Sequence, residues 1–287
     1  MRRMRLAVWI LFLVNLAVAV VAAAPIYHLL LAFTSSSLTA QELLRGFSLD
    51  WFTDLSFNRA GALHRDAVLI GAWGLISIFL NTLLAGGVLG QLREPATPST
   101  LGSFFRETGK YAWRLARLLI VGLVCYWLDF RILNQWLGGE VARWTGAWLD
   151  ERSVLGARLA AGGLFLAGLV FVNFVMDYAK VQLVMDGKAS ALEAFFGSLG
   201  FALGRFRKAL GVYVFPSVCG VVLIGVYAAI VHWLEARHIA PALGEVAGHP
   251  LLVIFSLFVL QQLTIFGRYW FRVATWAGEW SYCAEDR

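Results

Sequence analysis

Apolar residues run almost unbroken through six stretches of the chain, near residues 6–33, 67–92, 113–137, 159–184, 209–234 and 250–274, with polar residues gathered between them. A hydrocarbon core of about 30 Å takes roughly 20 apolar residues in a helix, and each stretch reaches that length. The pattern predicts an all-α membrane protein. It would be a single domain over residues 1–287, with six transmembrane helices paired as three hairpins at 1–92, 93–188 and 189–287.

Two connections carry a different period. Leu192, Phe195, Phe196, Leu199, Leu203 and Phe206 recur on one face at helical spacing. They follow an Asp186-Gly187 turn signal and a Ser190-x-x-Glu193 capping box, which supplies partners to first-turn N–H groups. Over residues 99–113, Leu101, Phe104, Phe105 and Ala112 stand against Arg106, Glu107 and Lys110. Both segments predict cytoplasmic amphipathic interfacial helices, lying in the headgroup layer or packed under the bundle as a lid. They also align with each other. At an offset of 91, Leu101 falls on Leu192, Phe104-Phe105 on Phe195-Phe196, Gly109 on Gly200, Arg114 on Arg205, Leu119 on Leu210 and Val121 on Val212. Counting the Arg117–Lys208 exchange, eight of 21 positions match, which predicts an internal repeat of amphipathic helix, outgoing span, loop and returning span. The first hairpin would be a degenerate third copy.

Composition agrees with the pattern. Hydrophobic residues make up 60% of the chain and charged ones 15%, against about 25% charged in a soluble domain. Charge then sets the threading. With both termini placed in the cytoplasm, 16 cations and 8 acids fall inside, against 8 cations and 10 acids outside. An inward excess of Lys and Arg is the orientation signal of membrane proteins. The sequence pI of about 9.5 thus reflects topology and attraction to anionic lipid, and no nucleic-acid partner is expected. Ala22-Ala23-Ala24 resembles a cleavage site, but Pro25 follows and the apolar run continues to Phe33, so the first stretch reads as an uncleaved helix. Most of the Trp residues lie near span ends, as in an aromatic belt.

Polar residues inside spans are the candidate chemistry, because a charge there costs roughly 2.5–3.5 kcal/mol. In the fourth stretch Asn173, Asp177 and Lys180 share a helix face, and in the sixth Gln261, Arg268 and Arg272 do. Asp177, Lys180 and Arg268 should sit at similar depth near the cytoplasmic end. They predict a static ion-pair lock or a polar pocket for a lipid phosphate or proton-coupled transport. Asn173, Asp177, Lys180, Arg205, Gln261, Arg268 and Arg272 are the lipid- or partner-binding candidates. Asn15 and Asn81 read as isolated amides in the first two spans, satisfied by interhelical hydrogen bonds. Asp129, Arg131, Asn134 and Gln135 read as a span-end cluster. Gly86 and Gly90, and again Gly163 with Ala167, suggest close helix approach. Cys125, Cys219 and Cys283 lack the spacing of a metal or disulfide framework. The five His residues (28, 64, 232, 238 and 249) fall on the outer half without Cys partners. Neither metal nor cofactor is expected.

At Asp177-Tyr178-Ala179-Lys180-Val181-Gln182-Leu183-Val184, at Asn81-Thr82-Leu83-Leu84-Ala85-Gly86-Gly87, and from Gln261-Gln262-Leu263 through Arg268, Trp270 and Arg272, the chain resembles a group of uncharacterised bacterial six-helix membrane proteins. It is also distantly similar to the membrane domain attached to some glycerophosphodiester phosphodiesterases. The resemblance implies a bacterial inner membrane and dealings with lipid. It transfers no catalytic residues, since the soluble phosphodiesterase domain has no counterpart here. The expectation is a non-enzymatic protein binding membrane lipids or a partner membrane protein through its amphipathic helices and polar cytoplasmic end. The alternative is a small transporter of lipid or hydrophobic solute.

Overall fold

The computed structural model describes residues 4–34, 53, 57, 60–94, 98–148, 150–187, 190–234 and 250–285. Its elements are α1 (Arg5–Thr34), α2 (Ala60–Arg93), α3 (Leu101–Asp129), a π-helical segment (Phe130–Leu137), α4 (Gly138–Thr145), α5 (Glu151–Asp186), α6 (Ala191–Gly204), α7 (Phe206–Leu234) and α8 (Pro250–Glu285). No strand occurs among the described residues. Four stretches, Arg5–Leu29, His64–Arg93, Glu151–Asp186 and Phe206–Leu234, are long and apolar enough to cross a membrane. They mark the chain as a membrane protein. Most of the connection over 34–66, with Trp51, and all of that over 235–249, with His238 and His249, lie outside the described residues.

The two aligned amphipathic segments fold differently. Residues 191–204 form the separate helix α6, which ends at Arg205 with φ −130° and ψ 34° before α7 begins at Phe206. Residues 101–113 are instead the first half of α3, which runs on without a break to Asp129. The boundary expected near Trp113 is absent. At the junction itself Gly204 precedes Arg205, whereas Trp113 precedes Arg114. A glycine in a helix interior costs about 1 kcal/mol relative to alanine, which weakens the helix at Gly204, although α3 and α6 carry Gly109 and Gly200 without a break. Each segment has its own N-cap. Thr100 Oγ1 accepts from the Ser103 N–H at 3.2 Å, and Ser103 Oγ accepts from the Thr100 N–H at 3.0 Å. Ser190 Oγ accepts from the Glu193 N–H at 3.3 Å. Burial keeps the alignment register. Glu107 and Ser198, Tyr111 and Ala202, and Leu118 and Ala209 are buried, while Leu101 and Leu192, and Phe105 and Phe196, are exposed.

The chain divides into two compact units. The first is Met1–Asn81 with Ser217–Val273, and the second is Thr82–Pro216 with Ala274–Arg287. In the first, α1 meets α2 through a reciprocal amide pair. Asn15 Nδ2 donates to Asn81 Oδ1 at 2.9 Å, and Asn81 Nδ2 donates to Asn15 Oδ1 at 2.7 Å. Ser77 Oγ also donates to Asn15 Oδ1 at 3.2 Å. Interhelical bonds of this kind average about 0.6 kcal/mol in a membrane protein. The Trp9 and Phe12 rings of α1 stack on Phe266 of α8 at 4.7 and 5.6 Å.

In the second unit, glycines set the approach of α2 to α3. A Cβ on Gly86 would stand 2.8 Å from Leu115, and one on Gly90 2.6 Å from Glu107, while one on Gly87 would strike Thr108 and Phe104. Gly163 shows nothing within 4 Å, so the expected Gly163–Ala167 approach is not used; Gly168 instead takes the close contact, against Asp129 and Leu133. The core of the unit is the last part of α5, where Phe174 to Val184 are buried apart from the half-buried Lys180. Helices α3 and α6 both pack on α5, and they touch each other.

Candidate functional site

The end of α5 carries charge into this core. Helical spacing of four and three puts Asn173, Asp177 and Lys180 on one face, and each finds a partner. Tyr126 OH donates to Asn173 Oδ1 at 2.8 Å. Lys180 Nζ donates to Asp177 Oδ1 at 3.0 Å, and Trp276 Nε1 reaches the same oxygen at 3.5 Å. The Asp177 side chain is 0% exposed and that of Lys180 12%. Removing a carboxylate from water costs several kcal/mol, which good geometry and supporting hydrogen bonds offset. Asp177 thus meets its partners with no accessible surface of its own.

The tail of α8 completes this centre, and sequence reading missed it. Trp276, Glu279 and Cys283 are buried at spacings of three and four, one helix face. Burial pushes the Cys283 thiol up to about 12, with the nearby Glu279 charge adding to the rise. Aromatic rings bind the neighbourhood. Tyr178 lies 5.3 Å from Phe174 and 5.7 Å from Phe201, and Phe201 lies 5.6 Å from Tyr282. Tyr178 OH donates to the Ala209 carbonyl at 3.0 Å, so α7 is tied in as well. The available signal was Glu279 itself, an acid set among Trp276, Trp280 and Tyr282.

Two arginines close the C-terminus of α5. Gly187 follows it in the left-handed conformation, φ 64°, which glycine adopts at no steric cost. Arg93 Nη1 donates to the Val184 carbonyl at 2.9 Å and to Tyr111 OH at 3.0 Å. Arg114 Nη1 donates to the Gly187 carbonyl at 3.0 Å. Cations here complement the helix dipole and satisfy carbonyls that lack intrahelical donors. On α3, the buried Glu107 faces Lys110 at 3.5 Å and Arg106 at 3.7 Å. Lys110 also reaches Glu94 at 3.5 Å. Burial pulls the Lys110 ammonium down, but the charges of Tyr111, Glu107 and Glu94 carry it above its usual value.

Helix α6 packs by its small face. Ala191, Ala194, Ser198 and Ala202 are buried, and Ser198 Oγ donates to the Val175 carbonyl of α5 at 3.3 Å. Three large residues turn outward: Leu192, Phe196 and Leu203 are 56%, 63% and 56% exposed, while Phe195, Leu199 and Phe201 are half-buried. Arg205, Arg207 and Lys208 are exposed at the helix end, with the Arg205 guanidinium 5.8 Å from the Phe201 ring centre.

The remaining predicted site residues belong to the first unit. There Gln261 and Arg268 are exposed and Arg272 is half-buried. The structure thus brings Asn173, Asp177 and Lys180 together in the second unit with Trp276 and Glu279, and Arg205 stands at its surface. At the far end of α3, Arg131 bonds Gln135 within the π-helical segment, while Asp129 is buried against Gly168. Among the described residues no three His, Cys, Asp or Glu side chains gather as metal ligands would. No protein-family model, curated protein or solved structure matches the chain.

Proposed function

We propose that this chain is a non-enzymatic integral membrane protein of the bacterial inner membrane, whose cytoplasmic end engages membrane lipid through α6. It crosses six times with both termini inside; the apolar parts of α3 and α8 join the four helices already long and apolar enough. One observation carries the reading: α6 buries alanines and a serine and leaves Leu192, Phe196 and Leu203 exposed on one face, with Phe195, Leu199 and Phe201 half-buried. A helix in water buries its large apolar face. One whose large face meets acyl chains need not, and the flanking cations suit the headgroup layer. Lys180 then balances the Asp177 charge on the same helix, and Trp276 ties that carboxylate to α8. The transporter alternative draws on that same carboxylate inside a spanning helix, which by default marks a functional site.

Native mass spectrometry of the detergent-purified protein tests the proposal. Wild type is expected to retain phospholipid, and Phe196→Asp with Leu203→Asp to lose most of it. A lipid-free wild type under mild conditions refutes the reading. Threading is tested in a cysteine-free background. A cysteine at Gly146 should label from outside intact cells, and one at Thr97 only after permeabilisation. Labelling of the Thr97 site in intact cells would remove the six-span plan.

A further inference from the structure

The far end of α3 holds another acid within an apolar stretch, and its surroundings differ from those of Asp177. Asp129 ends the α-helical part of α3, and the backbone continues as the π-helical segment Phe130–Leu137. Such turns are rare and gather at functional sites. Asp129 is buried. Its side chain makes no capping bond to the segment that follows, and its Oδ2 has no hydrogen-bond partner among the described residues. The carboxyl lies instead against the backbone of α5. A Cβ on Gly168 would strike Asp129 Oδ1 and stand 2.9 Å from Leu133 Cδ1. The adjoining Phe130 packs on Phe165 of α5, ring centres 6.1 Å apart. Charged and polar neighbours are engaged elsewhere. Arg131 bonds Gln135, and Glu140 of α4 bonds Arg143. On α3, Tyr126 donates to Asn173, and Cys125, one turn back, is half-buried. Between Arg158 and Asn173 α5 carries no polar side chain. Arg158 precedes Gly168 by ten residues, about 15 Å of helix.

We infer that Asp129 is a proton-binding site: its carboxyl occupies the notch at Gly168 as the neutral acid, and release of the proton drives it out of that notch. An ionised carboxylate taken out of water must be paired or hydrogen-bonded, and a group with neither is neutralised instead. Asp177 has Lys180 and Trp276. Asp129 has a glycine and a leucine. Only glycine leaves room for the carboxyl at that point of α5, since the first carbon of any other side chain would fill it. Binding adds one proton from water to a carboxylate oxygen, and release returns it to water, so no other reactant is needed. The π-helical segment begins at the next residue, so a carboxyl that leaves the notch shifts the start of that segment. Acids within membrane helices serve as proton relays elsewhere. The inference is independent of the lipid reading of α6.

The test uses the full chain in phosphatidylcholine nanodiscs. Infrared spectroscopy reads the C=O stretch of protonated carboxylic acids, and the difference between wild type and Asp129→Asn isolates the Asp129 band from those of other buried acids. Asp129→Asn keeps the shape and neutrality of the protonated group and is expected to fold. At pH 7 the wild type should show the band and Asp129→Asn should lose it. Gly168→Ala, which closes the notch, should lose it too. Amide hydrogen exchange over residues 129–137 reads the packing without a glycine variant. Wild type and Asp129→Asn should exchange alike at pH 7, and wild type should exchange faster than Asp129→Asn at pH 10. A pH 7 spectrum that Asp129→Asn leaves unchanged overturns the inference, because the carboxyl is then ionised where it sits. A band that survives in Gly168→Ala overturns the seat at the notch. Equal exchange of the two proteins at pH 10 overturns the link between the proton and the packing.

Discussion

Replacing Asp177 by alanine separates a buried ion pair from a surface one. An exposed pair is worth about 0–1 kcal/mol, whereas removing one partner of a buried pair costs about 3–5 kcal/mol. Asp177 is 0% exposed and its partner Lys180 12%, so Asp177→Ala belongs at the upper end. The substitution strands the Lys180 ammonium and removes the oxygen that Trp276 Nε1 faces. Asp177→Asn keeps an oxygen for both donors and loses the charge, so it should cost about 1–3 kcal/mol, the range for a weakened charged hydrogen bond. Asp177→Leu with Lys180→Met removes both charges and restores apolar volume, and such replacements are often neutral or stabilising by about 1–4 kcal/mol. Unfolding in mixed micelles, followed by helix content against the mole fraction of denaturing detergent, measures all three. An Asp177→Ala cost within about 1 kcal/mol of zero would refute the buried lock. A double variant as damaged as Asp177→Ala would do the same, because its stranded charge is gone.

Gly87→Ala should cost about 1–3 kcal/mol in the same assay, since its Cβ would strike Thr108 and Phe104 of α3, while Gly163→Ala, with open space around it, should be neutral or gain up to about 1 kcal/mol from helix propensity. Cys283 should resist thiol reagents at pH 8 in the folded protein and react once it unfolds, because its thiol is pushed up from 9.0 to about 12. The same shift gives a pH dependence. The folded thiol holds its proton more tightly than the unfolded one, so its contribution is intact below about pH 9. It is lost as pH rises towards 12, at up to about 1.4 kcal/mol per pH unit. Cys283→Ala should make that slope shallower, and an unchanged slope would mean the thiol does not contribute to it.

Helices were the most legible part of the chain, because a long apolar run constrains the backbone whatever its neighbours do. The cap at Ser190 and the interhelical bonding of Asn15 and Asn81, though not that they bond each other, were legible for a similar reason. Each follows from a polar group that has few other places to satisfy itself in an apolar stretch. Asp177 and Lys180 were visible as a shared face. What surrounds them was not, because Trp276 comes from a part of α8 beyond the expected span end, 99 residues away. Glu279 was not singled out from the sequence, because only tertiary packing buries it. The break between α6 and α7 was expected in both copies of the aligned segment, and it occurs only where glycine replaces tryptophan. Periodicity reports which face is apolar. It is blind to whether that face turns inward, which is why the buried alanine face of α6 was not foreseen.

The reach of Trp276 to Asp177 across 99 residues has a consequence for how the protein is made. Translation at about 5–20 residues per second leaves an interval of roughly 5–20 s between the emergence of the two. Throughout it α5 exists in the cell with its aspartate and lysine already present and the tryptophan that will cover them not yet synthesised. The nascent helix therefore enters the membrane carrying an ion pair on an uncovered side, and its final seating waits for the ribosome to finish α8. Any interruption of synthesis before that point leaves a charged helix face that the cell's insertion and proteolysis machinery can recognise as unfinished.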